Sequence, residues 1–157
     1  MKTGLPRATN SRTTVLILGS FPSEQSLQKK QYYANPGNDF WGLISKTVGV
    51  DISDVDYKTR IRTLQSHGIG LWDVIGKCER GGSADANIRN PRLNNFSVLK
   101  RTCPRLRLVC FNGKKAGASE PIFRQLGYAT KVLPSSSAAN RRYAAKRRRI
   151  WRSILKR

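Results

Sequence analysis

The stretch Thr14-Val15-Leu16-Ile17-Leu18-Gly19-Ser20-Phe21-Pro22-Ser23 decides the fold. A β-branched and aliphatic run halted by glycine predicts a buried strand that ends abruptly in a polar turn. The same grammar recurs downstream. Ile69 to Val74 and Leu106 to Phe111 are further short apolar runs, each running into polar residues, Asp73 and Asn112-Gly113-Lys114-Lys115. Tyr128 to Leu133 is the fourth, closed by Pro134-Ser135-Ser136-Ser137. Helices are expected between them: one carrying Phe40, Trp41, Ile44 and Val48, one over 54–66, a short one over 96–102, one from Lys114 to Leu126, and one over 139–155. Strands alternating with helices predict a three-layer α/β/α domain with a four-stranded parallel sheet flanked by helices. In such a sheet ligands gather at the carboxyl ends of the strands. Four loops are expected to meet there: 19–38, 72–73, 112–115 and 134–142.

Two segments read differently. Residues 1–12 are polar and basic and are expected to be a flexible tail, leaving 13–157 as one domain. Residues 79–94 are rich in Gly, Ser, Asn and Arg and read as a loop.

Charge narrows the partners. The 157 residues hold 30 Lys and Arg against 9 Asp and Glu, a formal net charge of +21. The excess lies in the C-terminal part: residues 86–157 contain Glu120 as their sole acid. A field of that size opposes compaction unless a polyanion shares it, and nucleic acid is the polyanion it fits best. A solvated basic helix or an anionic membrane surface is the alternative. The apolar runs are far too short to span a bilayer. The N-terminal residues have no apolar h-region, so a cytoplasmic or nuclear protein is expected, not a secreted one.

Cys78, Cys103 and Cys110 are odd in number and form no C-x-x-C pair, and His67 is the only histidine. That set does not build a zinc or iron–sulfur site, so the cysteines are expected to be buried thiols, and no metal or other cofactor is expected. The phosphate-binding patterns G-x-x-x-x-G-K-[ST] and G-x-G-x-x-G are absent, which argues against a nucleotide-binding protein. The serines at 135–137 lack a histidine base, which argues against a serine hydrolase.

The first loop reads Gly19-Ser20-Phe21-Pro22-Ser23, then Tyr32-Tyr33-Ala34-Asn35-Pro36-Gly37-Asn38-Asp39-Phe40-Trp41, and the last reads Leu133-Pro134-Ser135-Ser136-Ser137. With Gly70 to Val74 and Cys110 to Lys114 between them, these motifs resemble the uracil-DNA glycosylase superfamily across residues 14–155. They are most similar to its hypoxanthine-DNA (deoxyinosine) glycosylase branch, which carries GS-x-PS and LPS-x-S motifs. The stretch from Tyr33 to Trp41 also fits the aromatic-x-x-P-x-N-x-F-W pattern of the mismatch-specific members. The resemblance implies a monomeric, monofunctional DNA glycosylase for deaminated bases, hypoxanthine first and uracil second. The alternative is a nucleic-acid-binding protein that keeps the fold without the chemistry.

Departures from the pattern matter as much. The superfamily's first motif often has Asp or Asn at its third position, where this chain has Phe21. By resemblance the water-positioning role passes to Asn38, with Asn35 as runner-up; an asparagine at 38 would also cap the helix that follows. The second motif often opens with His, where this chain has Leu133. Base departure must then rely on the backbone N–H groups near Ser20 and Phe21, and on Asp73 and Asn112 as readers or proton donors. Asp73 could act as an acid only if burial raised its pKa. A flipped base needs an aromatic face, for which Tyr33 is the first candidate and Tyr32 the second. Ser23, Lys114, Ser135, Ser136, Ser137, Asn140, Arg141 and Arg142 are expected on the DNA, the serines gripping phosphate through hydroxyl and backbone groups. The wedge that fills the gap left by the flipped base would fall at Ala139, which is small, so Asn140 or Arg141 is expected to take that space.

Overall fold

The computed structural model describes residues 1–155, apart from the side chain of Ala139. The side chain at the wedge position, Ala139, and the last two basic residues therefore lie outside what is described.

The main sheet holds β2 (Val15–Gly19), β3 (Ile69–Asp73), β6 (Leu108–Asn112) and β7 (Ala129–Leu133), in the order β3-β2-β6-β7. Every pairing is parallel, as expected. The unbroken apolar run at 15–18 follows from burial on both faces. Val15 and Ile17 point to one side, with α2 (Phe40–Val48), α3 (Tyr57–Ser66) and the C-terminal α7 (Ala144–Arg152). Leu16 and Leu18 point to the other, with α4 (Val98–Thr102) and α6 (Glu120–Gln125), through Leu99 and Phe123. All four of these strand side chains are fully buried.

Strand order reverses between β2 and β6, because the chain leaves β2 for β3 on one side and returns to β6 on the other. Such a switch point opens a crevice at the carboxyl ends. Register keeps those ends level: Gly19 lies opposite Asp73, and Asn112 opposite Leu133.

Three expectations are corrected. Residues 1–12 are not a free tail. β1 (Lys2–Thr3) pairs antiparallel with β4 (Ile75–Glu79), and Ala8 bridges Leu71. Residues 79–94 are not simply a loop: β5 (Arg89–Leu93) pairs with β4 to complete a small antiparallel sheet. Exposure of every β5 residue explains why its hydrophobic pattern gave no strand signal. The helix expected over 139–155 is broken. A 3₁₀ segment spans Ala138–Tyr143, non-helical at Asn140, before α7 begins. Tyr143, which helical spacing would put on one apolar face with Ile150, Trp151 and Ile154, is 61% exposed because the break rotates it off that face.

Smaller differences follow local chemistry. The helix expected from Lys114 to Leu126 splits into α5 (Lys114–Gly117) and α6, which starts afresh with Pro121 in its first turn. The long first loop contains a short helix, α1 (Glu24–Lys29), capped by Ser23. Cys78, Cys103 and Cys110 are all buried and unpaired.

Candidate active site

The four strand ends enclose a cavity of about 440 Å³, lined by Gly19–Ser23, Tyr33, Asn35, Asn38, Asp73, Asn112 and Ser135–Ser137. It is not the largest hollow. A groove of about 920 Å³ runs under the N-terminal segment, and one of about 600 Å³ lies behind the Tyr33–Asn38 loop. The smaller cavity is singled out by its chemistry: Tyr33, Asn35 and Asn38 border both it and the groove of about 600 Å³, but only here do Asp73 and Asn112 join them.

A hydrogen-bond chain ties the loops together. The Asn112 Oδ1 accepts from the Ser136 N–H at 2.9 Å, which fixes the orientation of the Asn112 amide. Its Nδ2 then donates to Ser136 Oγ at 2.9 Å and to the Tyr33 hydroxyl at 3.2 Å. Ser136 Oγ, fully buried, donates onward to Asn38 Oδ1 at 2.7 Å. Asn38 Oδ1 also accepts the Phe40 N–H at 2.9 Å, capping α2. Both lone pairs of the Asn38 oxygen are therefore engaged, and only its Nδ2 is left to face the cavity. Asn35 is less saturated: its Oδ1 accepts the Gly37 N–H at 2.9 Å and no second donor among the described residues.

Tyr33 is held in a sparsely populated backbone state, with φ 55°. A bulky residue there is strained, at a cost of about 1–3 kcal/mol, and such strain gathers at functional sites. Its ring stacks on Phe40 at 3.9 Å between centroids and 18° between planes. One face is thus backed by an immobile ring. Gly19 is required opposite it, since a Cβ there would lie 2.6 Å from Asp73 Oδ1 and 3.1 Å from the Tyr33 hydroxyl.

Asp73 closes the far side. It is 5% exposed and its Oδ2 has no hydrogen-bond partner. Burial foremost, then the charge of Asp85, pushes its carboxyl up to about 7, against the opposing pull of Arg80. That meets the condition for Asp73 to hold a proton near neutrality.

The expected DNA contacts divide. Lys114 and Arg142 are exposed and free of ion pairs among the described residues. Arg141, though exposed, is engaged within the chain: it grips Asp39 with two nitrogens at 2.9 Å and the Gly37 carbonyl at 3.0 Å. Asn140 is likewise occupied, donating to the Ser135 carbonyl at 2.9 Å, so neither is poised to fill a vacated stack. Ser23 is the cap of α1, and Ser135 Oγ accepts the Ser137 N–H within the turn. Ser20 Oγ donates to Asp85 at 2.7 Å. The Phe21 ring is 7% exposed, packed in the core beneath the Arg80 guanidinium, while no hydrogen bond engages the backbone N–H of Ser20 or Phe21 among the described residues.

Sequence reasoning missed two contributors. Arg147 is 5% exposed, pairs with Asp39 at 2.7 Å and donates to the Ser135 and Ser137 carbonyls. Its spacing of four from the buried Trp151 was the available signal. Asp85 reaches the cavity from the β4–β5 connection, and nothing local in a Gly-Gly-Ser-Ala-Asp run shows that it folds back to residue 20. Among the described residues no group of three or more His, Cys, Asp and Glu side chains is placed to hold a metal ion. No helix among them is long and apolar enough to cross a membrane.

Comparison with known proteins identifies the family. The chain is 48% identical over 156 residues to a hypoxanthine DNA glycosylase of Methanosarcina acetivorans, covering 99% of both chains. It is 46% identical, over the same share of each, to a hypoxanthine DNA glycosylase of Methanosarcina barkeri. A solution NMR structure of a Methanosarcina acetivorans protein assigned to the uracil DNA glycosylases superposes with a TM-score of 0.91 at 48% identity, covering 99% of this chain and 96% of that one. The model of the uracil DNA glycosylase superfamily matches residues 6–156, and the chain belongs to that superfamily.

Proposed function

We propose that this DNA glycosylase removes hypoxanthine, and more slowly uracil, from DNA by hydrolysing the bond between base and deoxyribose. The observation that carries the reading is the convergence of Tyr33, Asn38, Asp73 and Asn112 on one cavity, of a size usual for small-ligand sites, in a chain similar over its full length to two proteins named for that activity.

The base leaves the duplex and lies on the open face of Tyr33, whose other face is fixed by Phe40. As the bond from C1′ to the base nitrogen breaks, its electron pair stays with the base and the sugar becomes oxocarbenium-like. Such a centre needs a well-placed water more than a strong base. Asn38 Nδ2 donates to that water and leaves an oxygen lone pair for C1′; Asn35, with an open lone pair, is the alternative holder. The water oxygen bonds to C1′ and loses a proton to solvent. The departing base gains a proton from the Asp73 carboxyl, which solvent then restores. The product is an abasic site. No lysine lines the cavity, in keeping with hydrolysis and no lyase step. All the side chains invoked come from one chain, which supports a protein that acts as a monomer.

The test is incubation with an inosine-containing duplex in EDTA, followed by alkali. Free hypoxanthine and strand breaks only after alkali are expected. Breaks before alkali, or none after it, would overturn the reading, and binding without base release would favour a non-catalytic DNA-binding protein.

A further inference from the structure

We propose that Asp73 and Asp85 form a donor–acceptor pair that reads the pairing edge of the flipped base and separates deaminated bases from their parent amines. This rests on the glycosylase reading above.

The two carboxyls line the same cavity from different elements, Asp73 from the end of β3 and Asp85 from the β4–β5 connection. That connection is pinned over the first loop: Ser20 Oγ donates to Asp85 Oδ1 at 2.7 Å, and the Glu24 N–H donates to Ser83 Oγ at 3.0 Å. Asp85 is exposed and its Oδ2 has no partner among the described residues, while Asp73 is buried with its own Oδ2 orphaned. An unpartnered polar atom buried in a cavity wall is costly unless a ligand completes it.

Their environments split their roles. Two neighbouring carboxyls do not both ionise readily, and the buried one keeps the proton. Asp73 therefore presents an O–H, and the exposed Asp85 an accepting oxygen. Hypoxanthine offers the complement along its six-membered ring: O6 accepts and N1–H donates. Adenine offers the reverse, a donating amine at position 6 and an accepting N1. Uracil and cytosine differ in the same sense at positions 4 and 3. Deamination inverts the pattern, so one donor and one acceptor suffice to tell product from parent. Adenine in this pocket would leave both carboxyls facing like partners, and buried groups left unpaired give steep discrimination.

The test compares single-turnover release of hypoxanthine and 1-methylhypoxanthine, which lacks the N1–H, by wild type and Asp85→Ala. Wild type is expected to favour hypoxanthine by about tenfold or more, the scale of one hydrogen bond to a charged group. Asp85→Ala should bring that ratio to within about threefold. Asp85 is exposed, so the variant should fold. Ser20→Ala, which frees the Asp85 carboxylate, should narrow the ratio in the same direction. A second readout is the pH profile. Asp85, Arg80, Tyr32 and Tyr33 act on Asp73, and burial keeps both tyrosines uncharged. Release of hypoxanthine should fall as Asp73 ionises, near pH 7, and Asp85→Ala should move that fall to lower pH. An unchanged ratio in Asp85→Ala overturns the pairing while leaving the glycosylase reading intact. Failure of wild type to release hypoxanthine at all overturns the reading, and this inference with it.

Discussion

The two walls of the cavity are built on opposite principles. On one, Asn112, Ser136, Asn38 and the start of α2 form a chain in which each amide oxygen and the hydroxyl between them has a partner. Behind it, Asp39 is held by Arg141 and the buried Arg147, whose hydrogen bonds keep its carboxyl below the usual range. On the other, Asp73 is buried with an orphaned oxygen and a carboxyl pushed the opposite way, and Asp85 keeps one oxygen free. The saturated wall fixes geometry. The unsaturated wall keeps two carboxyl oxygens without hydrogen-bond partners among the described residues. Two aspartates thus do different work because one is hydrogen-bonded by two cations, while at the other burial and a like charge outweigh the pull of Arg80.

Experiments can strain this contrast, beginning where the effect should be greatest. Arg147→Ala should destabilise the fold by about 1–3 kcal/mol in chemical denaturation, since it removes the buried donor of the Ser135 and Ser137 carbonyls and leaves Asp39 only its exposed partner. Arg141, whose side chain is 56% exposed, should matter by less than about 1 kcal/mol to the same measurement. Equal losses would show that the clamp is not anchored from within. Asn38→Ala should slow single-turnover excision by on the order of 10²-fold with little change in DNA affinity. Asn38→Asp keeps the oxygen that caps α2 and removes the Nδ2, so it should be nearly as slow while more stable than the alanine variant. If Asn35→Ala is dead and Asn38→Ala is not, the water lies three residues away.

Tyr33→Ala should weaken capture of the base by about 1–3 kcal/mol, the scale of one stacking contact. Tyr33→Phe should be tolerated, because Asn112 Nδ2 retains Ser136 as its acceptor. On the other wall, the folded state keeps a proton on Asp73 that the unfolded chain has already lost. Stability should therefore fall as pH rises from about 4 to about 7, by at most about 1.4 kcal/mol per unit, and Asp73→Asn should abolish that fall. The smallest effect on the site itself is expected from Arg142, Lys146 and Arg149, which are all exposed. Replacing them by Gln should flatten the slope of log K against log salt by roughly 2–3 units and leave lesion selectivity alone. An unchanged slope would move the DNA track to Lys114, Lys115 and the serine turn.

By itself the sequence determined the layers and the meeting place. Val15-Leu16-Ile17-Leu18 is apolar on both alternating faces, and only a strand covered on both sides accepts that. The short runs ending in Gly19, Asp73, Asn112 and Leu133 place four polar loops at one edge because parallel strands share a direction. Those are consequences of local period and chain polarity, which a sequence records directly. The tertiary structure alone decided how charges were spent. Arg141 and Arg142 are adjacent and chemically alike, yet one grips Asp39 and the other faces solvent, a difference set by a residue 102 positions away. Asp85 reads as a loop acid until the exposed strand β5 pairs with β4 and brings it to Ser20. The value of a charge depends on desolvation and on partners distant in sequence, and neither is encoded in local pattern.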